Sequence, residues 1–290
     1  MAPHTASQKT PKNMRIAAIT MARNDDFFLN RWIRYYGDAF GHKNLYILLD
    51  GMDQSIPKNA GAAHVTKLEH RPMTRAAGDK YRIGLLSDLA AKLFADGYDI
   101  VVGCDTDEFL VADPDTGLSL AAYLTAAAPR GVTSLSGLGL DVGQNLAMEQ
   151  PLDPSQPLLT QRGRALLSTR YTKPVVLYRP AAWGSGFHHV RGHNFHIDKN
   201  LYLLHFGAVD MNMLMTKAAA RGADWVNHLR RRGNGTINTV TRRPIRGAWA
   251  MRLARMMQTI FRPVYAWGKP SMLGIKWVVR IPARFAQTGI

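Results

Sequence analysis

The N-terminal part of the chain alternates between short apolar runs and amphipathic segments, and this alternation limits the folds open to it. The apolar runs, each long enough for one strand, cover residues 15–22, 45–49, 64–68 and 99–103. Apolar residues recur at helical spacing between the first two runs, over 29–40, and again before the fourth run, over 83–93. Strands that alternate with helices form a mostly parallel sheet covered by helices. The sequence therefore predicts an α/β fold with a mostly parallel, Rossmann-like sheet.

An acidic cluster, Cys104-Asp105-Thr106-Asp107-Glu108, directly follows the fourth apolar run. Ligands of parallel α/β sheets bind beyond the carboxyl ends of the strands, so an active site is expected at this cluster. In an extended segment Asp105 and Asp107 point to the same side, where two carboxylates repel each other unless a cation is bound. Mn²⁺ and Mg²⁺ prefer oxygen ligands and leave positions for substrate phosphates. The sequence therefore predicts Mn²⁺ or Mg²⁺ at Asp105 and Asp107, the alternative being a solvated acidic turn.

Two stretches of the chain resemble the bacterial family 2-like glycosyltransferases, which have a GT-A fold. They are ARNDDFFLNRWIRYYGDAFGHKNLYILLDGMDQS at 22–55 and GYDIVVGCDTDEFLVADP at 97–114, and DTDEFL is the most specific part. The resemblance covers residues 14–114 well and 174–217 loosely, including LLHFGAVD. It implies metal-dependent transfer of a sugar from a nucleotide-diphosphate donor, a UDP-sugar in first place, to a glycan or lipid-linked acceptor.

The same resemblance implies roles for individual residues. Asp105 and Asp107 would bind the metal and the donor diphosphate, with Glu108 as a neighbouring acid that holds the loop. Arg23 and Asn24, at the end of the first strand, would face the nucleotide.

Four further residues are donor-binding candidates on the same grounds. Asp50 and Asp53 would lie near the base or the ribose. A carboxylate can accept hydrogen bonds from the ribose hydroxyls. Lys80 and Arg82 would contact phosphates. The alternatives are a plain turn at Asp50-Gly51 and solvated side chains for the two cations.

Five histidines, at positions 188, 189, 193, 196 and 205, form a second cluster of metal-ligating residue types. No cysteine lies near them, and neither an HExxH nor a C2H2 pattern is present, so no zinc site is predicted. His205 closes the apolar run LYLLH, and enzymes of the resembled family often complete the metal shell with a late histidine. His205 is therefore a candidate third ligand, the alternative being a core or edge histidine.

An inverting transferase needs a carboxylate base near the acceptor hydroxyl. Asp141, after the strand-like run SLSGLGL, and Glu149, in the Pro- and Gln-rich stretch that follows, are the candidates. The Glu-Asp pair expected of the family is missing after the metal motif. The stereochemical outcome therefore stays open.

The formal charge of +16 is concentrated in the C-terminal segment. No acidic residue follows Asp224, whereas 13 lysines and arginines lie between residues 225 and 290. Over 242–290 these cations are interleaved with Trp, Met, Phe and Ile, a pattern typical of helices that lie on anionic membrane surfaces. The chain thus divides into a loose leader at 1–13, a GT-A domain at 14–225 and a basic, amphipathic, helical appendage at 226–290. Nucleic-acid binding, or a solvated or partner-bound tail, are the alternatives.

Features that the sequence lacks indicate its cellular location and argue against two rival functions. Cys104 is the single cysteine, and no signal peptide or spanning helix is evident, so we predict a cytoplasmic protein that is peripheral on the inner face of the membrane. A nucleotidyltransferase would share the carboxylates and the metal but would carry a Gly-rich phosphate loop, and residues 23–26 contain no glycine. A nucleic-acid-binding protein built around the basic tail would leave the acidic cluster unexplained, so nucleic acid is not the expected partner.

Overall fold

A computed structural model describes residues 14–128, 131–194, 196–219, 222–261 and 276–290 of the protein. The strands are β1 (Ile16–Ala22), β2 (Leu45–Asp50), β3 (His64–Leu68), β4 (Ile100–Gly103), β5 (Glu108–Ala112), β6 (Ser134–Gly143), β7 (Arg164–Leu167), β8 (Val176–Leu177), β9 (Ile197–Ala208), β10 (Ile245–Arg246) and β11 (Val278–Arg280). The α-helices are α1 (Asp26–Phe40), α2 (Arg75–Ala95), α3 (Leu120–Ala126), α4 (Leu158–Gln161), α5 (Met211–Ala219), α6 (Gly222–Arg242) and α7 (Trp249–Phe261). The predicted leader at 1–13 lies outside the described residues.

The strands form one mixed sheet in the order β10-β11-β7-β6-β8-β4-β1-β2-β3, with β9 paired to β6 and β5 paired to β9. Strands β3, β2, β1 and β4 all run parallel, as the alternation of strands and helices predicts. Beyond β4 the directions change, because β8 is antiparallel to β4 and β6 is antiparallel to both β8 and β7. The prediction of an α/β fold with helices on its sheet is confirmed. The carboxyl ends of β1, β2 and β4 lie along one edge.

Helix α1 anchors the turn that carries the acidic cluster. Its predicted apolar face is buried, and Trp32 and Tyr36 are fully inaccessible to solvent. The indole nitrogen of Trp32 and the hydroxyl of Tyr36 each lie 3.4 Å from Sγ of Cys104, and the backbone N–H of Leu110 donates to the Tyr36 hydroxyl at 2.8 Å. Burial raises the pKa of the Cys104 thiol to about 12, so this group remains a neutral packing residue. The contacts of α1 therefore hold both ends of the β4–β5 turn.

Helix α2 carries Arg82 to the same edge of the sheet. The helix begins after Thr74, whose side chain accepts a hydrogen bond from the backbone N–H of Ala77. Its predicted apolar face is buried, and the chain leaves the helix at Gly97, which has a φ of 85°. Arg82 therefore lies in the N-terminal part of the helix, near the carboxyl ends of the parallel strands.

The C-terminal segment contributes to the same sheet and core as the preceding residues. The boundary predicted at residue 225 falls inside α6, and β11 pairs antiparallel with β7, with Val279 opposite Ala165. Val279, Phe285 and Ile290 belong to the main hydrophobic core. This strand covers the edge of β7, so apolar surface of both strands is buried. The basic composition of the segment does not indicate this strand. The described part of the segment is therefore joined to the sheet by a strand.

Helix α7 has an apolar outer face. It buries Ala250, Ala254 and Gln258 against the protein, whereas Trp249, Met256 and Ile260 are 51%, 53% and 59% exposed. Residues 262–275, which continue the predicted membrane-surface segment, lie outside the described residues. Within the described ranges, no helix is long and apolar enough to cross a membrane.

Candidate active site

The ends of β1 and β2 bring four predicted donor-binding residues together. The guanidinium group of Arg23 donates to the backbone carbonyl of Asp50 and lies 3.1 Å from Oδ1 of Asp53. Asn24 exchanges two hydrogen bonds of 2.8 Å with the side chain of Gln54, one through its backbone N–H and one through its side-chain oxygen. Arg23, Asn24, Asp50 and Asp53 thus form one connected polar surface, which we call the β1–β2 edge.

The Asp50-Gly51 turn is required for this arrangement. Gly51 has a φ of 138°, and a Cβ atom there would lie 2.1 Å from both Nη1 of Arg23 and Oδ1 of Asp53. The carboxylate of Asp50 also lies 3.1 Å from Nδ1 of His70, a residue just beyond β3 that the sequence analysis did not select. The Asp50 carboxylate therefore lies beside the His70 imidazole at the β1–β2 edge.

Asp105 is surrounded by cations. Its Oδ1 accepts from the guanidinium group of Arg82, which also lies 3.0 Å from Oδ1 of Asp79. Its Oδ2 lies 3.2 Å from Nζ of Lys173, which in turn contacts the carboxylate of Glu108. Burial alone would raise the pKa of Asp105, but the two cations outweigh burial and hold its pKa below the ordinary value. Asp105 is therefore ionised, and each of its oxygens already contacts a cation of the protein.

Lys173 contacts the acidic turn, although no sequence pattern singled it out. Its side chain is 3% exposed, and it faces Glu108, which is fully buried. Burial raises the pKa of Glu108 to about 7, although Lys173 acts in the opposite direction. Lys173 reaches this position because β8 runs antiparallel to β4, so the start of β8 lies beside the end of β4. Lys80, by contrast, is exposed on α2.

Asp107 faces a different set of groups. Its Oδ2 lies 3.6 Å from Nε2 of His205 and 3.9 Å from Nζ of Lys217. Lys217 also pairs with Oδ2 of Asp25 at 2.8 Å, and the Thr106 hydroxyl donates to the same oxygen at 2.8 Å. Asp25 occupies the N-cap position of α1 without capping it through its side chain. Its carboxylate instead ties the loop after β1 to the acidic turn.

His205 is fixed on several sides. Strand β9 pairs with both β5 and β6, and in the β6 pairing His205 lies opposite Asp141, whose Oδ1 is 2.7 Å from Nδ1 of the imidazole. The other oxygen of Asp141 accepts from the Thr236 hydroxyl at 2.6 Å. The ring of Tyr171 stacks on the imidazole with centroids 3.7 Å apart. Burial lowers the pKa of His205, but Asp107 and Asp141 outweigh burial and raise it above its ordinary value.

Glu149, the other candidate base, lies in a separate network. Its carboxylate accepts from the backbone N–H groups of Asn145 and Gly163 at 2.8 and 3.1 Å. It also lies 3.8 Å from Nε of Arg162, a nearly buried side chain that is 3.5 Å from Asp210. These partners organise the loop after β6, and none of them belongs to the acidic turn.

The described residues contain no group of three His, Cys, Asp or Glu side chains that could hold a metal ion unaided. Oδ2 of Asp107 and Nε2 of His205, 3.6 Å apart, nevertheless suit one ion, because ligand atoms about 2.1 Å from a shared ion lie about 3 to 4 Å from each other. Mg²⁺-type ions commonly take one or two protein ligands and fill the remaining positions with water and substrate phosphates. Asp107 and His205 therefore fit such an ion better than Asp105, whose oxygens contact Arg82 and Lys173.

Comparison with known proteins places the chain near two solved structures at low similarity. No protein-family model matches the chain, and no curated protein is recognisably similar in sequence. The chain is similar to the mannosyltransferase PcManGT from Pyrobaculum calidifontis in complex with GDP-Man and Mn²⁺, with a TM-score of 0.40 and 11% identity over 91% of this chain and 86% of that one. It is also similar to mannose-1-phosphate geranyltransferase from Thermus thermophilus, with a TM-score of 0.28 and 8% identity over 77% of this chain and 65% of that one.

Proposed function

We propose that the protein is a metal-dependent glycosyltransferase that moves a sugar from a nucleotide-diphosphate donor to a glycan or lipid-linked acceptor. The observation that carries the proposal is the position of Asp107 and His205. Their side chains face each other at 3.6 Å at the carboxyl end of β4, beside the polar β1–β2 edge. A divalent ion next to a surface of carboxylate, amide and guanidinium groups is what a nucleotide-sugar donor requires.

Asp107 and His205 would hold Mn²⁺ or Mg²⁺ in this enzyme. The ion, when bound, acts as a Lewis acid that neutralises the departing nucleoside diphosphate. Arg82 and Lys217 place positive charge on either side of the acidic turn, where they add charge-assisted hydrogen bonds to donor phosphates. Lys173 and Arg82 hold Asp105 ionised, so its carboxylate keeps the two cations in place around the site.

The β1–β2 edge would bind the nucleoside of the donor. The carboxylates of Asp50 and Asp53 can accept hydrogen bonds from the ribose hydroxyls, and the side-chain amide of Asn24 offers both a donor and an acceptor to a base. Arg23 holds Asp53 and the Asp50 carbonyl together and thereby fixes the spacing of these groups. A UDP-sugar is the first donor to test.

The outer face of α7 would bring the enzyme to an anionic membrane surface, where a lipid-linked acceptor is found. The support is the combination of exposed Trp249, Met256 and Ile260 with Arg252 on the same exposed side of α7. Apolar side chains of such a helix enter the headgroup region while cations contact anionic lipids. Residues 225–290 contain no acid that would repel the surface.

A donor screen by thermal shift tests the proposed activity. UDP-, GDP- and CMP-sugars are added with Mn²⁺ or with a chelator, and one donor is expected to raise the melting temperature only when Mn²⁺ is present. A ligand at 100 times its Kd stabilises the folded state by about 2.7 kcal/mol, a readily measured shift. Asp107→Asn should abolish the shift, whereas Asp153→Asn, in an exposed loop, should preserve it. A shift that is indifferent to the chelator or to Asp107→Asn contradicts the proposal.

A substrate test separates the rival nucleotidyltransferase reaction. That enzyme would join a nucleoside triphosphate to a sugar 1-phosphate, forming a nucleotide-sugar and releasing pyrophosphate. Because it would also bind the nucleotide-sugar as its product, the distinguishing result is pyrophosphate release from those substrates without release of the sugar from any nucleotide-sugar, which would favour the rival.

A further inference from the structure

We infer that Asp141 is a positioning residue, which orients His205 toward the metal, and that it does not act as the general base. This inference rests on the proposed metal-dependent function. Asp141, which the sequence suggests as one of two candidates for the general base, therefore has a different role.

Both oxygens of Asp141 already have a partner within the protein. Oδ1 lies 2.7 Å from Nδ1 of His205, and Oδ2 accepts from the Thr236 hydroxyl at 2.6 Å. The residue is 6% exposed. A base for an acceptor hydroxyl must come within hydrogen-bond reach of that hydroxyl. The carboxylate of Asp141 instead points into the contact between β6, β9 and α6.

The hydrogen bond decides which nitrogen of His205 is free to bind a metal. A proton on Nδ1 that is donated to Asp141 leaves the lone pair on Nε2, and Nε2 is the nitrogen that faces Asp107 at 3.6 Å. Histidines that bind metals commonly donate their second N–H to a carboxylate, which fixes the tautomer and the ring orientation. Asp141 stands in that relationship to His205.

The neighbouring residues restrict the ring further. Tyr171 stacks on one face of the imidazole with an angle of 13° between the rings, and a Cβ atom added to Gly207 would lie 2.6 Å from Cε1 of the ring. Thr236 connects Asp141 to α6, so a helix outside the acidic turn supports the orientation of His205. The arrangement is therefore built from three elements, β6, β9 and α6, with Asp141 at their junction.

The affinity for Mn²⁺ tests this role, because replacing a residue that acts only as a general base should not change that affinity. We suggest a titration with Mn²⁺ alone, followed by the loss of the free-ion electron paramagnetic resonance signal. Loss of a carboxylate behind a metal-binding histidine typically costs about 10- to 100-fold in affinity, so Asp141→Ala should weaken Mn²⁺ binding by that amount. Asp141→Asn keeps an oxygen that can accept from Nδ1 and should show a smaller loss, which is rescue by the conservative variant.

Two further variants separate positioning from general loosening of the fold. Thr236→Val removes the hydroxyl but leaves the Asp141–His205 contact, so its loss of affinity should be much smaller than that of Asp141→Ala. Asp153→Asn should bind Mn²⁺ like the wild type. If Asp141→Ala does not fold, Asp141→Asn carries the test, and its affinity should still lie below that of the wild type.

The outcomes distinguish this inference from the proposed function. If the wild type binds no Mn²⁺, either alone or with a nucleoside diphosphate added, the metal-dependent function fails and the positioning role fails with it. If the wild type binds Mn²⁺ and the Asp141 variants bind it equally well, only the positioning role is overturned. Equal losses in Asp141→Ala and Thr236→Val would also overturn it, because they would indicate a loosened fold.

Discussion

Nε2 of His205 lies 3.6 Å from Oδ2 of Asp107, across the antiparallel pairing of β9 with β5. The backbone N–H of Phe206 donates to the carbonyl of Asp107 at 2.9 Å, so a strand hydrogen bond lies directly beside the two side chains. The separation of the candidate metal ligands therefore depends on the register of these strands. A change that moves the imidazole without moving the strand should therefore weaken metal binding.

Gly207→Ala is such a change. The added methyl group would lie 2.6 Å from the His205 ring and 3.2 Å from Oδ2 of Asp107, so the ring must rotate away. We expect Mn²⁺ affinity to fall about tenfold, which is about 1.4 kcal/mol, and the metal-free protein to melt at a lower temperature, because the rotated ring loses its contacts with Asp141 and Tyr171. Gly235→Ala is the matched control, because no atom lies within 4 Å of an added Cβ there. Unchanged Mn²⁺ affinity in Gly207→Ala would argue against His205 as a ligand.

Lys173→Met should destabilise the protein strongly. The variant leaves the carboxylate of Glu108, which is fully buried, without its nearest cation. Removing one partner of a buried ion pair typically costs about 3 to 5 kcal/mol when the other charge stays desolvated. The pKa of Glu108 is about 7, so its carboxyl can take up a proton once Lys173 is gone, and we expect a loss at the lower end of this range, about 3 kcal/mol. Urea unfolding should report a loss of this size. The double variant Lys173→Met/Glu108→Gln should recover part of it, and no recovery would show that Glu108 is not the cause.

Arg284→Met should remove a pH-dependent contribution to stability. Nε and Nη2 of Arg284 lie 2.6 and 2.7 Å from the two oxygens of Asp113, and these hydrogen bonds lower the pKa of Asp113 in the folded protein. The contribution is therefore present above the unfolded pKa of about 3.9 and is lost as the pH falls through the lower folded value.

Because the Arg284 side chain is 35% exposed, we expect a loss of only about 1 kcal/mol at pH 7, or roughly 2 °C in melting temperature. Thermal melts of wild type and Arg284→Met should converge as the pH is lowered below about 3.9. Arg280→Met, at an exposed arginine of β11, is the control and should melt like the wild type. A difference that stays constant with pH would rule out the Asp113 ion pair as its source.

Membrane binding through α7 should depend on its exposed apolar residues. The triple variant Trp249→Ser/Met256→Ser/Ile260→Ser should lose co-sedimentation with vesicles that contain anionic phosphatidylglycerol, because insertion of the apolar face supplies most of the binding. The wild type should bind these vesicles better than neutral phosphatidylcholine vesicles, and salt should weaken the binding. Leu118→Ser, at another exposed apolar residue, should behave like the wild type. Equal binding to both vesicle types, or by the triple variant, would contradict the prediction.

The sequence by itself determined the parallel part of the fold and part of the candidate site. Helical and strand periodicity are local properties, so α1, α2 and β1 to β4 could be read from the chain without knowledge of distant contacts. Ligands of parallel sheets bind beyond the carboxyl ends of the strands, which is why Asp105 could be placed at this edge in advance, whereas the family resemblance implied the donor-binding roles of Arg23, Asn24 and Asp50. The acidic turn was visible because three charged residues follow directly on an apolar strand.

Only the tertiary structure decided which groups meet those residues. The directions and registers of β8 and β9 are set by burial of their side chains across the sheet, and a shift of one residue would turn His205 away from Asp107. The same pairings bring Lys173 to Asp105 and Asp141 to Nδ1 of His205, contacts that no local pattern signals. Composition likewise marked the C-terminal segment as basic, but the unpaired edge of β7 determined that part of it would become strand β11. Local sequence specifies the elements, whereas contacts between distant residues specify the charges and ligands that surround the site.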